Sequence, residues 1–182
     1  MKKALLVIIS VIMAFTMTAA VVGCGKSDEQ VIRKGISDEL NQFKDVKSDI
    51  WKDTMAGITD TLANSGGDPE ALITSWMDGF DYKIGAISVD GDKATVELTI
   101  TCKQLYPALK AAQNTATNTP GVENMSVTDI QALLITEMSA ELQNAIPVTS
   151  TVSVSYEKVN NEWSEVSGAE GEIVLALVGS MQ

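Results

Sequence analysis

Histidine is absent from the 182-residue chain, cysteine occurs twice, and basic side chains are scarce, 13 against 24 acidic ones. Without histidine the chain lacks the commonest general base, the commonest metal ligand and the usual switch near neutral pH. Two cysteines give no disulfide framework. The acidic excess disfavours nucleic acid and anionic lipid headgroups as direct partners, and the one cationic cluster near the start is only Arg33-Lys34. No internal repeat is visible, and no composition shift marks a second domain.

What is present is most distinctive at the amino terminus. Met1-Lys2-Lys3 leads into an apolar run from Ala4 to Val22, interrupted only by Ser10, Thr16 and Thr18 and by no charge. A basic start followed by an apolar stretch is the pattern of a secretory signal. The run ends in Val21-Val22-Gly23-Cys24, and polar sequence follows at once. These four residues resemble a lipobox, the processing site of bacterial lipoproteins. The resemblance implies cleavage between Gly23 and Cys24 and a diacylglyceryl lipid on the Cys24 sulfur. Two acyl chains suffice for stable anchoring, at about 0.8 kcal/mol per buried methylene. Two other readings stay open. Thr18-Ala19-Ala20 loosely fits a small-residue cleavage site that would release the protein, and an uncleaved run of roughly 18 or more apolar residues could span a bilayer.

On the lipoprotein reading, residues 1–23 are the signal peptide, 24–27 are the lipidated cysteine and a short tether, and 28–182 form a single α+β domain. Cleavage leaves 159 of the 182 residues, an ordinary size for one domain. Losing Lys2 and Lys3 takes the basic count from 13 to 11 against 24 acidic, a net of −13. The expected place is the extracytoplasmic face of the cell membrane, with the domain repelled by anionic lipid rather than lying flat on it. Once Cys24 is acylated, Cys102 has no cysteine to pair with.

The spacing predicts helix over 28–64. Ile32, Ile36, Leu40 and Phe43 form one stripe, a break falls at 45–48, and Ile50 or Trp51, Met55, Ile58 and Leu62 continue the stripe to a stop at 64–67. Asp68-Pro69 starts a further helix, with Asp as N-cap and Pro in the first turn, and Gly79 ends it. The period then becomes two. Phe80, Tyr82, Ile84 and Ala86 alternate with polar residues, and the alternation slips to Ile87 and Val89, which predicts a bulge near Gly85 and Ala86. Asp90-Gly91 predicts a type I′ turn, with positive φ at both central residues. On the return strand Ala94, Val96, Leu98, Ile100 and Cys102 face one way, and Thr95, Glu97, Thr99 and Thr101 the other.

A helix starting near Lys103 to Pro107 follows, then a loop over 114–121. Ser126-Val127-Thr128-Asp129 predicts a capping box with Asp in the usual Glu place, opening a helix that ends before Pro147. A long Ser/Thr-rich strand carries Val148, Val152, Val154 and Tyr156. Asn160-Asn161 makes the turn into a partner strand with Trp163 and Val166. The tail from Glu170 to Val178 is expected to be helix rather than strand, because Glu170 and Glu172 suit a helix amino end.

Two hairpin stretches carry a family resemblance: Ile87-Ser88-Val89-Asp90-Gly91-Asp92-Lys93-Ala94-Thr95-Val96 and Tyr156-Glu157-Lys158-Val159-Asn160-Asn161-Glu162-Trp163. They resemble hairpins of small extracytoplasmic lipoproteins of the nuclear-transport-factor-two-like, or cystatin-like, superfamily, many of them from Gram-positive bacteria. The resemblance implies N-terminal helices packed on a curved antiparallel sheet of two long hairpins. In many members that sheet encloses a cone-shaped cavity. The helical insertion at 103–146 departs from the pattern and puts strand order in doubt.

Candidate chemistry is sparse. Asp90-Gly91-Asp92 lacks the further oxygen ligands and closing Glu of a calcium loop and reads as a turn. Asp78-Gly79-Phe80-Asp81 reads as a helix stop. Cys102 reads as a buried, inert thiol, with Lys103 pointing to the opposite face. Trp76, Tyr82 and Trp163 are the candidate ligand-binding residues, expected to converge where helix meets sheet, although core packing is the ordinary role of such aromatics. No carboxylate falls on an apolar face in this reading, so no catalytic residue, metal site or cofactor is expected. The expected function is a membrane-anchored, non-enzymatic binding or interaction module. Its partner would be a small amphipathic molecule in the cavity or an envelope protein. The alternatives are a histidine-free enzyme using carboxylate and tyrosine chemistry, and a solute-receptor lipoprotein, for which the chain lacks the length of two lobes.

Overall fold

The computed structural model describes residues 18–19, 27–49, 51, 68–166 and 170–179. Cys24, the expected helical stripe through Met55, Ile58 and Leu62, and its stop at 64–67 lie outside the described residues.

The fold is α+β. Helix α1 (Asp28–Lys44) opens with a capping box in which the Ser27 hydroxyl accepts from the Gln30 N–H and the Gln30 side chain accepts from the Ser27 N–H. Asp28 and Glu29 in its first turn and Lys44 in its last suit the helix dipole. Its stripe of Val31, Ile32, Ile36, Leu40 and Phe43 is buried. The expected break follows at 45–48, and Trp51 folds back so that its indole N–H donates to the Phe43 carbonyl at 2.7 Å. Helix α2 (Pro69–Met77) has Asp68 as N-cap, accepting from the Ala71 N–H. It ends at Gly79, whose φ of +81° favours glycine, and a Cβ there would lie 2.9 Å from Pro147 Cγ.

Strands β2 (Asp81–Asp90) and β3 (Lys93–Cys102) pair antiparallel, with the register shift between Ile84 and Ile87 that the slipped alternation predicts. A Cβ at Gly85, inside this bulge, would lie 3.2 Å from both the Cβ and the carbonyl oxygen of Glu97, a tight fit that glycine avoids. The turn differs from the expected type. Asp90 pairs with Lys93, so Gly91 and Asp92 are the central residues, and only Gly91 has positive φ, at +59°. A positive φ at the first central position alone is the pattern of type II′, which twists the strands as well as type I′ does. The second hairpin takes the double-positive form, with φ of 53° at Asn160 and 66° at Asn161.

Between the hairpins lie α3 (Leu105–Thr117), a 3₁₀ turn (Val122–Asn124) and α4 (Val127–Asn144). The expected loop over 114–121 is shorter, because α3 runs on to Thr117. There the Thr117 hydroxyl and Asn118 amide bond the carbonyls of Gln113 and Asn114, four residues back, so these polar side chains close the last turn. The Ser126–Asp129 capping box forms as expected. Strands β4 (Val148–Val159) and β5 (Glu162–Glu165) follow, then α5 (Glu170–Val178). A two-residue strand, β1 (Thr18–Ala19), lies antiparallel against Trp163 and Ser164.

The sheet order is β1-β5-β4-β3-β2, antiparallel throughout, so the helical insertion leaves the two hairpins adjacent; the second is shorter than expected, because β5 pairs with β4 over only four residues. One face is core: Ala94, Val96, Leu98, Ile100 and Cys102 of β3 and Val154 and Tyr156 of β4 are all buried. Helix α1 packs beside β2, and α5 covers β4 and β3, while α2 and α3 pack on α4. The other face is polar and exposed, with hydroxyl pairs Thr99–Thr151 at 3.1 Å and Thr101–Thr149 at 2.9 Å.

Candidate functional site

Helix α1 is the element around which the polar groups gather, because it crosses the sheet with one face apolar and both flanks wet. Along β2, Arg33 donates to the carbonyls of Ile84 and Gly85 at 3.0 and 3.1 Å, satisfying the groups that the bulge frees. Further on, the Tyr82 hydroxyl meets Ser37 and Asn41, and Lys44 pairs with Asp81 at 3.0 Å. Along the opposite flank, Asp28 Oδ1 accepts from Lys158 Nζ at 2.8 Å and from Trp163 Nε1 at 3.0 Å. The hydrogen bonds from Lys158 and Trp163 hold the Asp28 carboxyl below the usual carboxylate range.

The three candidate ligand residues do not converge. Trp76 is buried near the carboxyl end of α1, edge-on to Phe43 and Trp51, with ring centroids 5.9 Å away in each case. Trp163 is buried at the amino end of the same helix. Tyr82 sits on the edge strand β2, three strands from β5, a spacing of about 14 Å. Each is occupied by its own packing or hydrogen bonds, which is why residues chosen for aromatic character spread along the core instead of facing one space. The Trp76 indole N–H is buried and has no hydrogen-bond partner among the described residues.

Two groups behave otherwise than their sequence positions imply. Lys103 was expected on the face opposite Cys102, but the strand ends at Cys102 and Lys103 turns inward, 3% exposed, its Nζ 2.8 Å from Asp78 at the end of α2. Glu39 overturns the expectation that no carboxylate lies on an apolar face. Four residues before Phe43 and three after Ile36, it borders the buried stripe, and burial pushes its carboxyl up to about 7. It acts electrostatically on Tyr156, which is 2% exposed and pairs across the strands with Glu165. Burial first, then the two carboxylates, raise the Tyr156 hydroxyl above the usual phenol range. The signal for this cluster was Glu39 at helical spacing from the stripe. Its neighbours on β4 and β5 had no signal, because they depend on strand placement.

Cys102 behaves as expected: fully buried, raised to about 11 by burial, its thiol donating to the Ala176 carbonyl at 3.3 Å. Among the described residues no three His, Cys, Asp or Glu side chains cluster as metal ligands would. The surface of the described residues carries open grooves. One, of about 350 Å³, lies between α3 and the α4–β4 connection and is lined by Gln104, Pro107, Ala111, Glu141, Ile146 and Val148 among others. Another, of about 330 Å³, lies on the polar sheet face beside the bulge. Neither is lined by Trp76, Tyr82 or Trp163.

Among the described residues no helix is long and apolar enough to cross a membrane. No protein-family model matches the chain, and no curated protein matches it. Among solved structures, ycdA of Bacillus subtilis, classed as a candidate lipoprotein, is similar at 16% identity with a TM-score of 0.42. The similarity covers 86% of this chain and 48% of that one, so this chain spans about half its length.

Proposed function

We propose that this protein is a lipid-anchored extracytoplasmic lipoprotein that works by non-covalent interaction, with an envelope protein as partner. The observation that carries the reading is where helix α1 begins. The capping box at Ser27 starts α1 three residues after Cys24, so cleavage behind Gly23 leaves every described helix and both hairpins intact. Among the described residues, the two-residue β1 is what leaves with the signal. The nuclear-transport-factor-two-like assignment is part of this proposal. It is supported by two adjacent hairpins, a bulged edge strand and a helix laid along the sheet. Dispersal of the three aromatics favours a protein partner over a small molecule held between them.

The test is intact mass of the protein extracted from membranes of a host that processes lipoproteins. The reading expects the chain to begin at Cys24 and to carry a diacylglyceryl group, and Cys24→Ser to leave an unprocessed, unlipidated chain. Release into the medium with cleavage after Ala20 would overturn it.

A second reading, histidine-free catalysis, is favoured by the Glu39 carboxyl titrating near 7 beside Tyr156, since a proton held near neutrality suits acid–base work. It expects Glu39→Gln to abolish any hydrolytic activity found on a panel of ester and glycoside substrates. Activity unchanged by that substitution would exclude Glu39 as its source.

A further inference from the structure

We infer that the lipidated domain stands on end, with the two hairpin tips facing the bilayer and the α3–β4 groove at the far end. This rests on the lipoprotein reading above and adds an orientation to it.

The two ends of the molecule are fixed by contacts along α1. At its start, Asp28 bonds Lys158 and Trp163, and the Lys158 N–H donates to the Asp92 carbonyl at 2.8 Å. That bond ties the two tips together, Asp90 to Lys93 and Val159 to Glu162. At its finish, Lys44 pairs with Asp81. Asp81 stands opposite Thr101 and Thr101 opposite Thr149, next to Cys102 and Val148, where the groove of Gln104, Pro107 and Ile146 lies.

Reach then decides the orientation. The 17 residues of α1 separate these ends by about 24 Å. Three residues from Cys24 to Ser27 span at most about 11 Å. A lipid-bearing Cys24 can therefore lie beside the hairpin tips and cannot reach the groove end. The tips carry Asp90, Asp92, Glu157 and Glu162 against Lys93 and Lys158, so the lipid, and no attraction of the tips themselves, holds the domain there. Val159 and Val89, beside the two tips, are exposed apolar groups at this end. At the far end Ile146 is 84% exposed and Val148 44%. A partner approaching from outside the membrane meets that end first.

The test uses the full lipidated protein in vesicles of phosphatidylcholine and phosphatidylglycerol. A fluorophore is placed on Asp92→Cys or Ile146→Cys, and the vesicles carry a nitroxide headgroup quencher. Cys102 is fully buried and stays unlabelled. Lipidation is first confirmed by mass, so that a preparation lacking lipid counts against the lipoprotein reading and not against the orientation. The expected result is loss of most emission at position 92 and little at 146, with the loss at 92 diminished when ten Gly/Ser residues are inserted before Ser27. Equal quenching at the two positions would mean the domain lies flat, and stronger quenching at 146 would mean it is inverted. Either would overturn the proposal.

Discussion

Asp28 and Trp163 are joined by a 3.0 Å hydrogen bond from the indole N–H to the carboxylate, although 135 residues separate them. The bond pins the first turn of α1 to β5, and Lys158 reinforces it both through the shared oxygen and from 5.5 Å over the indole ring. Asp28→Asn keeps an oxygen acceptor, whereas Asp28→Ala leaves a buried donor with nothing to meet. The alanine variant is expected to lose about 1–3 kcal/mol and the asparagine variant less, measured by urea unfolding. Equal losses would show that the bond to Trp163 contributes nothing.

The two buried tryptophans near Phe43 make a matched pair. Trp51 donates its indole N–H to the Phe43 carbonyl at 2.7 Å, while that of Trp76 has no partner among the described residues. Replacement by phenylalanine removes the same volume at each. Trp51→Phe is therefore expected to cost about 1 kcal/mol more than Trp76→Phe, the worth of one neutral hydrogen bond. Thermal unfolding of both variants in one buffer checks this.

Glu39 makes stability fall as pH rises. The folded protein keeps its proton up to about pH 7, whereas the unfolded chain releases it near its ordinary value of 4.5. The folded state thus binds more protons between these values, and stability drops across that window and stays lower above it. Glu39→Gln is expected to raise stability by about 1–2 kcal/mol at pH 8, a figure reduced because solvent still reaches the group, and by nothing at pH 4. Denaturant titrations at the two pH values read the difference.

Lys103 and Asp78 form a lopsided pair, the lysine 3% exposed and the aspartate 74%. Removing the aspartate strands a buried cation, while removing the lysine leaves a carboxylate that water can solvate. Asp78→Ala is therefore expected to cost about 1–3 kcal/mol, and Lys103→Met close to nothing. The order of the two midpoints in urea is the measurement. A larger cost for Lys103→Met would mean that its ion pair outweighs its desolvation.

Signals confined to a few neighbouring residues were readable without the structure. Ser27 is a partial case: α1 was legible from its stripe, and its capping box only from the geometry. The Asp68 cap, the Ser126–Asp129 capping box, the slip at Gly85 and Ala86, and the alternation through Cys102 each state a local backbone preference, and each appears where expected. The hairpin at Asp90 shows the margin of error. One residue of register moved the turn from Asp90-Gly91 to Gly91-Asp92, because strand pairing across the sheet, and not the dipeptide alone, fixes which residues are central.

Sequence by itself determined the caps at Asp68 and Ser126, the strand faces and the acidic balance, because each depends on residue type or on contacts within one turn or one strand. Tertiary structure decided that Trp76, Tyr82 and Trp163 lie apart, that Lys103 turns inward to Asp78, and that Glu39 shares an environment with Tyr156 and Glu165. Burial and charge at those positions are set by neighbours up to 117 residues away, as for Glu39 acting on Tyr156. Only the packing of α1 across a finished sheet brings such neighbours close enough to exclude water and shift a proton.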